Sequence, residues 1–245
     1  MTHQHLIILK SLLAAAFICL AALTACDTSI KTDQALIGEA IAPTGTTAAP
    51  SAIFKIDTAK SQLTWIGAKM TGRHNGVFKI QEGELHLSDS ILTGGTIIID
   101  MSKVRADDKT IDKASNEKLT KHMRSADFFD VEKYNKATFE LTGIAPYDSA
   151  KAKPNTPRTT TDNALRVKKL THLITGNLTI KDQTKSITFP ARVTLSDNQL
   201  KAKANFNIDR TQWGLVYRSD KSLGDQTIRP EVNIGFDVVA IPQAN

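Results

Sequence analysis

The chain has 245 residues, with 31 Lys+Arg against 25 Asp+Glu and only two cysteines, Cys19 and Cys26. That is room for one sizeable domain with appendages. The formal charge of +6 is scattered without basic-aromatic clusters, which argues against a nucleic-acid binder and leaves a solvated face or attraction to an anionic membrane.

The N-terminus carries Lys10 and then an apolar run, Leu12 to Leu23, too short to span a membrane comfortably. The run closes on Leu23-Thr24-Ala25-Cys26, which reads as a lipobox: small residues enter a peptidase cleft, and the thiol of Cys26 carries a thioether lipid. The plainer alternative is a secretory leader with an accidental cysteine. On the lipobox reading residues 1–25 are a leader that is removed. The mature chain is then exported and lipid-anchored through Cys26 to a bacterial membrane, facing the periplasm. No thiol remains for a disulfide, a zinc cluster or a nucleophile. Residues 26–52 have no sustained periodicity and few large apolar side chains, and are expected to be a flexible tether.

From Ile53 the pattern becomes period two, and the span 53–243 reads as a β domain. Leu63, Trp65 and Gly67 alternate with Thr64, Ile66 and Ala68. Short β-branched runs follow at Ile97–Ile99, Leu178–Ile180, Ile187–Phe189, Val193–Leu195, Ala202–Ile208 and Val232–Val238. Turns are expected at Thr71–Arg73, Thr93–Gly95 and Ser196–Asn198. Successive strands with short connections predict an antiparallel sheet that must close or fold over to protect its edges. One amphipathic helix is expected over Asp112–Ser125, with Leu119 and Met123 on its apolar face and Phe128 and Phe129 needing burial beyond it. Residues 146–168 are polar and rich in Pro, Thr and Lys, and are expected to be a mobile loop.

No catalytic constellation stands out. His74, His86, His122 and His172 are scattered singly, and no metal-ligand spacing or phosphate loop is present, so no metal and no covalent cofactor are expected. His86 and His122 read as surface residues, and His74 as a turn residue. Asp209-Arg210 precedes Thr211-Gln212-Trp213-Gly214. There Arg210 can meet a ligand head group, or Asp209 can pair with an arginine while Trp213 fills core. The aromatics on alternating strands can likewise line a packed core or a cavity.

Several segments together resemble the YceI family of polyisoprenoid- or lipid-binding periplasmic proteins. They are Trp65 to Phe78, Gly94 to Met101, Lys118 to His122 with Ser125 to Tyr134, Thr175 to Lys185 with Phe189-Pro190, and Phe206 to Gly214. The resemblance runs over about residues 53–241 in the family's order, departing at Asn135, where the family often has proline, and in the longer 146–168 loop. It implies an all-β, elongated, antiparallel, eight-stranded lipocalin-like barrel with one short helix. It also implies a lumen holding a polyisoprenoid, an isoprenoid quinone or a similar long-chain amphiphile. The inward set expected on this basis is Trp65, Phe78, Phe139, Leu178, Ile180, Phe189, Phe206, Trp213 and Phe236, with Arg210 at the head group. The partners expected are this lipid and a membrane surface reached through Cys26; a homodimer is left open. Two other readings stand beside it: an enzyme acting on a lipid head group through His74 or Asp209, and a cavity-free barrel that meets a partner through the 146–168 loop.

Overall fold

The computed structural model describes residues 28–42, 50–150, 164–196 and 198–243. Alternating β-branched and aromatic residues make eleven strands: β1 Asp33–Gln34, β2 Leu36–Glu39, β3 Ala52–Ile56, β4 Gln62–Lys69, β5 Gly72–Ser88, β6 Ile91–Ala106, β7 Lys136–Pro146, β8 His172–Ile180, β9 Gln183–Ser196, β10 Gln199–Asp209 and β11 Ile228–Pro242. Strands β4 to β11 pair each with the next, all antiparallel, and β11 returns to β4 through registers such as Ile234 with Trp65. The result is a closed eight-stranded antiparallel barrel, as expected. Strand β3 pairs with both β11 and β5 beyond the end of β4, so β3 and β4 act as one long strand interrupted at 57–61. Closure leaves no long bare edge.

The expected helix is Lys113–Arg124, with the expected bounds Asp112 and Ser125 as its caps. Asp112 caps it by accepting from the amide of Ser115 at 2.8 Å, which satisfies one of the orphan donors of the first turn. Ser125 ends it with its amide on the carbonyl of His122. Met123 and Phe129 are buried, and Phe129 packs edge-on against Phe78 with ring centroids 5.9 Å apart.

Three expectations need correction. The Thr93–Gly95 turn lies inside β6; the chain reverses instead at Asp89 and Ser90, whose φ values of 50° and 66° suit a tight hairpin turn. His74 sits in strand β5, and the β4–β5 reversal is carried by Met70 and Thr71. Residues 28–42 are not a free tether. Between the barrel strands β9 and β10, pairing covers only Arg192–Ser196 with Gln199–Lys203. Beyond that the two strands separate, and residues 33–39 enter the split, pairing parallel to β10 and antiparallel to β9. The segment is held by polar groups that a composition argument overlooks. Thr32, Asn205, Asn207 and Asn233 are all buried, and the Asn233 amide donates to Thr32 Oγ1, Asn205 Oδ1 and Asn207 Oδ1, each at 2.9 Å. Such a network is stable only because each member is satisfied.

The ends of the 146–168 loop are also attached. Tyr147 continues the pairing by donating to the carbonyl of Thr171 at 2.9 Å, and Arg166 donates to the carbonyl of Lys31 at 2.8 Å. Its centre, 151–163, lies outside the described residues, as do residues 1–27 with the leader and Cys26.

Candidate functional site

The barrel is filled in one half and hollow in the other. Away from the β4–β5 turn, Phe54, Leu85, Leu87, Leu200, Val238 and Ala240 are buried and pack into a solid core. Toward that turn lies a cavity of about 550 Å³, a size suited to one small-molecule ligand. Its wall runs along β4 from Leu63 to Lys69, a depth of about 20 Å at the usual strand rise.

All nine expected lining residues border this cavity: Trp65, Phe78, Phe139, Leu178, Ile180, Phe189, Phe206, Trp213 and Phe236. Period-two alternation brings them there, since paired residues share a face: Leu63 with Phe78 and Phe236, and Trp65 with Ile234. Two glycines make room for the largest rings. A Cβ on Gly76 would lie 2.6 Å from the Trp65 indole, and one on Gly176 would lie 2.3 Å from Cζ of Phe139. Phe189 stacks on Phe206, and Phe139 tilts against Phe189 at 6.0 Å. Trp213 is fully buried, and its indole N–H donates to the carbonyl of Leu178 at 2.9 Å, so it both fills core and walls the cavity. The indole nitrogen of Trp65 is buried with no hydrogen-bond partner among the described residues.

Polar lining groups gather at the open end: Lys69, His74, Ser115, Lys118, His122, Arg210, Tyr217 and Arg218. The helix supplies Ser115, Lys118 and His122 from the stripe that carries Leu119 and Met123, so its apolar periodicity marked this face. His122 meets Phe128 at 5.2 Å and Tyr217 at 4.8 Å, both edge-on, bridging the helix to the 214–218 segment across the mouth. His122 is therefore part of the rim rather than a plain surface residue.

Arg210 borders the cavity but its donors are engaged. Its guanidinium donates to the carbonyls of Arg229 at 3.2 Å, Tyr217 at 2.9 Å, Ile228 at 3.0 Å and Leu215. Burial lowers its pKa, with the carboxylate of Asp209 opposing. This is a brace for the segment between β10 and β11, which corrects the head-group assignment. Asp209 makes no ion pair among the described residues; it accepts from the amide of Thr211 at 2.9 Å and its hydroxyl at 2.6 Å, capping a short 3-10 turn.

His74 has a partner that the sequence did not reveal. Its Nδ1 lies 2.8 Å from Oδ2 of Asp108, which is 2% exposed and also accepts from the amide and hydroxyl of Thr110. Burial pushes the Asp108 carboxyl up, but the hydrogen bonds from Thr110 and His74 outweigh it and its pKa is lowered. The pair orients the ring at the cavity mouth. Acid–base chemistry needs a further group poised on a reacting atom, and the nearby hydroxyl of Ser115 donates instead to Asp112 at 2.8 Å. No cluster able to hold a metal occurs among the described residues.

A closed antiparallel barrel with a helix between β6 and β7 and an apolar lumen, in this order of elements, matches a known domain. The family model for the YceI-like domain covers residues 54–240. The chain belongs to the YceI family. Its barrel is similar to the crystal structure of BcnA from Burkholderia cenocepacia, with a TM-score of 0.55 at 20% identity, over 75% of this chain and 98% of that one. It is also similar to a polyisoprenoid binding domain from Saccharophagus degradans, with a TM-score of 0.52 at 15% identity, over 79% of this chain and 100% of that one. At such identities the likeness concerns the fold. No curated protein matches the chain. Within this YceI barrel, Lys69, Tyr217 and Arg218 are the mouth residues that periodicity alone could not single out.

Proposed function

We propose that this YceI protein is a carrier for a long-chain amphiphile, a polyisoprenoid, an isoprenoid quinone or a similar lipid, tethered through Cys26 to a bacterial membrane on its periplasmic side. The observation that carries this reading is the segregation within the lumen: apolar walls from Leu63 and Phe236 upward, with polar side chains only near the mouth. An apolar tail fits the first part and a polar head the second. At about 0.8 kcal/mol per buried methylene, roughly ten carbons give about 8 kcal/mol of gross stabilisation, the scale of micromolar binding. The polyisoprenoid binding domain from Saccharophagus degradans has the same fold, which supports the ligand class. The lipobox supports the anchor. The hollow lumen speaks against the cavity-free reading, and the engaged Asp209 and Ser115 against the enzyme.

The test is native mass spectrometry of residues 27–245, produced with a cleavable export signal, followed by solvent extraction. All described residues fall within this span, so it carries the whole barrel. A discrete added mass that extracts as an isoprenoid or long-chain lipid is expected. Ala137 is a small, buried lining residue, so Ala137→Phe should remove that mass while the barrel stays folded. A bare protein mass that persists after incubation with quinones and long-chain lipids would refute the carrier.

A further inference from the structure

The described chain begins on the rim of the lumen. The hydroxyl of Thr28 donates to the carbonyl of Lys69, a mouth residue. Arg73 donates to the carbonyls of Thr28 at 2.6 Å and Ser29 at 2.8 Å, and Nε of Arg229 reaches the hydroxyl of Thr28 at 3.3 Å. Whatever precedes Thr28 therefore leaves the barrel beside the mouth. Cys26 is two residues away, at most about 7 Å of extended chain. On the lipobox reading, the free part of the tether is therefore these two residues rather than the long leash that the composition of 26–52 suggests.

That same end exposes apolar side chains next to cations. Met70 in the β4–β5 turn is 37% exposed, and Val216 and Leu223 in the β10–β11 connection are 59% and 42% exposed. Arg218 and Lys221 flank them in sequence and are exposed. Lys69, Arg73 and Arg229 stand on the same rim beside the acids Asp108, Asp220, Asp225 and Glu231; Asp108 is engaged by His74 and Thr110, and Asp220 as a cap for the amide of Ser222. The opposite end also exposes Ile91 and Leu195, but its β5–β6 turn carries Asp89. Exposed apolar residues ringed by cations suit the headgroup layer of an anionic bilayer.

We propose that the mouth rim is a membrane-docking surface, with Met70, Val216 and Leu223 entering the headgroup layer of an anionic phospholipid bilayer and Lys69, Arg218 and Lys221 meeting its phosphates. The barrel then stands mouth-down, and a tail passes between bilayer and lumen without crossing water. The proposal rests on the carrier reading but concerns a separate surface: Met70, Val216, Lys221 and Leu223 do not border the cavity.

Residues 27–245 contain neither cysteine, so docking can be measured without the lipid and a probe can be placed at will. A nitrobenzoxadiazole label on Val216→Cys or on Leu195→Cys reports the two ends. With vesicles of equal parts phosphatidylglycerol and phosphatidylcholine, the label at 216 should shift to the blue and be quenched by bilayer-borne quencher, and the label at 195 should not. The combined Val216→Ser, Lys221→Glu, Leu223→Ser protein should bind these vesicles at least about tenfold more weakly, since each cation near an anionic surface contributes about fivefold in affinity and the apolar contacts add to it. Equal responses at both ends, binding that ignores phosphatidylglycerol, or undiminished binding by the triple variant would overturn the proposal; the last would point to a protein partner for the rim. Native mass spectrometry of the triple variant separates the two ideas. Retained lipid with lost docking upholds both. Docking without lipid in the parent chain would sink the carrier and leave the rim standing.

Discussion

Phe189 on β9 and Phe206 on β10 stack with ring centroids 4.1 Å apart and planes 15° apart, at a level where their strands no longer pair with each other. The two rings close the split from the inside, and Ala35 of the inserted N-terminal segment is buried at the same seam. Wall, seam and lumen thus meet at one aromatic pair. Phe206→Ala should cost about 3–5 kcal/mol, the usual range for a buried aromatic. Because the loss falls at the seam, amide exchange at residues 33–39 should accelerate more than exchange in the filled half of the barrel. A uniform change across the barrel would contradict this.

Arg210→Lys separates a brace from a head-group contact. A lysine cannot reach the four carbonyls that the guanidinium joins. The melting temperature of the ligand-free protein should fall, corresponding to about 2 kcal/mol for hydrogen bonds to a charged group, and proteolysis should increase between residues 214 and 228. If stability is unchanged and only lipid affinity drops, the head-group role is restored.

Gly76→Ala should be poorly tolerated. The new methyl would meet the Trp65 indole at 2.6 Å and the carbonyl oxygen of Arg105 at 2.1 Å, and the latter cannot rotate away. A loss of at least about 1–3 kcal/mol is expected from overpacking, read by chemical denaturation, together with a change in Trp fluorescence.

Burial raises the Asp33 carboxyl above its ordinary value of 3.8, with Arg166 pulling the other way. A proton bound more tightly in the docked segment favours docking below 3.8, and that contribution is lost as pH rises through the raised value. At neutral pH the charge therefore weakens the seam. Asp33→Asn should slow amide exchange at residues 33–39 near neutrality and change little in acid. Faster exchange in the variant would mean that Arg166 dominates.

Asp108 behaves in the opposite sense. Its lowered pKa contributes stability above its ordinary value of 3.8 that is lost as pH falls through the lower folded value. Asp108→Ala should cost about 2–3 kcal/mol at neutral pH, because it strands the donors of Thr110 and the ring of His74. The gap between variant and parent should narrow in strong acid, as paired thermal melts at neutral and low pH would show.

Much of the barrel was legible because β-sheet patterning is local. Trp65, Phe78 and Phe236 fall on one face by simple alternation, and Asp112 and Ser125 mark the helix ends by residue type. Lumen and core were not separable that way: Phe236 and Val238 follow the same alternation, yet one walls a cavity and the other lies in the filled half. The N-terminal segment was misread because its attachment rests on Thr32 and on Asn177, Asn207, Asn233, Arg73, Arg166 and Arg229, which lie more than 40 positions away along the chain. Composition reports how much apolar surface a segment can bury, and this one docks chiefly through hydrogen bonds. The Asp89–Ser90 reversal escaped notice because neither residue is glycine, while the nearby Gly94-Gly95 drew the turn to itself.

The filled half of the barrel gives the lumen a floor. Leu63, Ile80, Ile97 and Phe236 are the deepest lining residues, and Phe54, Leu85, Leu87 and Val238 are packed below them. For the proposed carrier, such a floor would make the barrel a ruler as well as a container. Along a series of amphiphiles with one head group, affinity should rise with each carbon until the tail touches that floor, and then level off. A longer chain must leave its remainder outside the mouth, so the protein would grade its lipids by the length it can swallow.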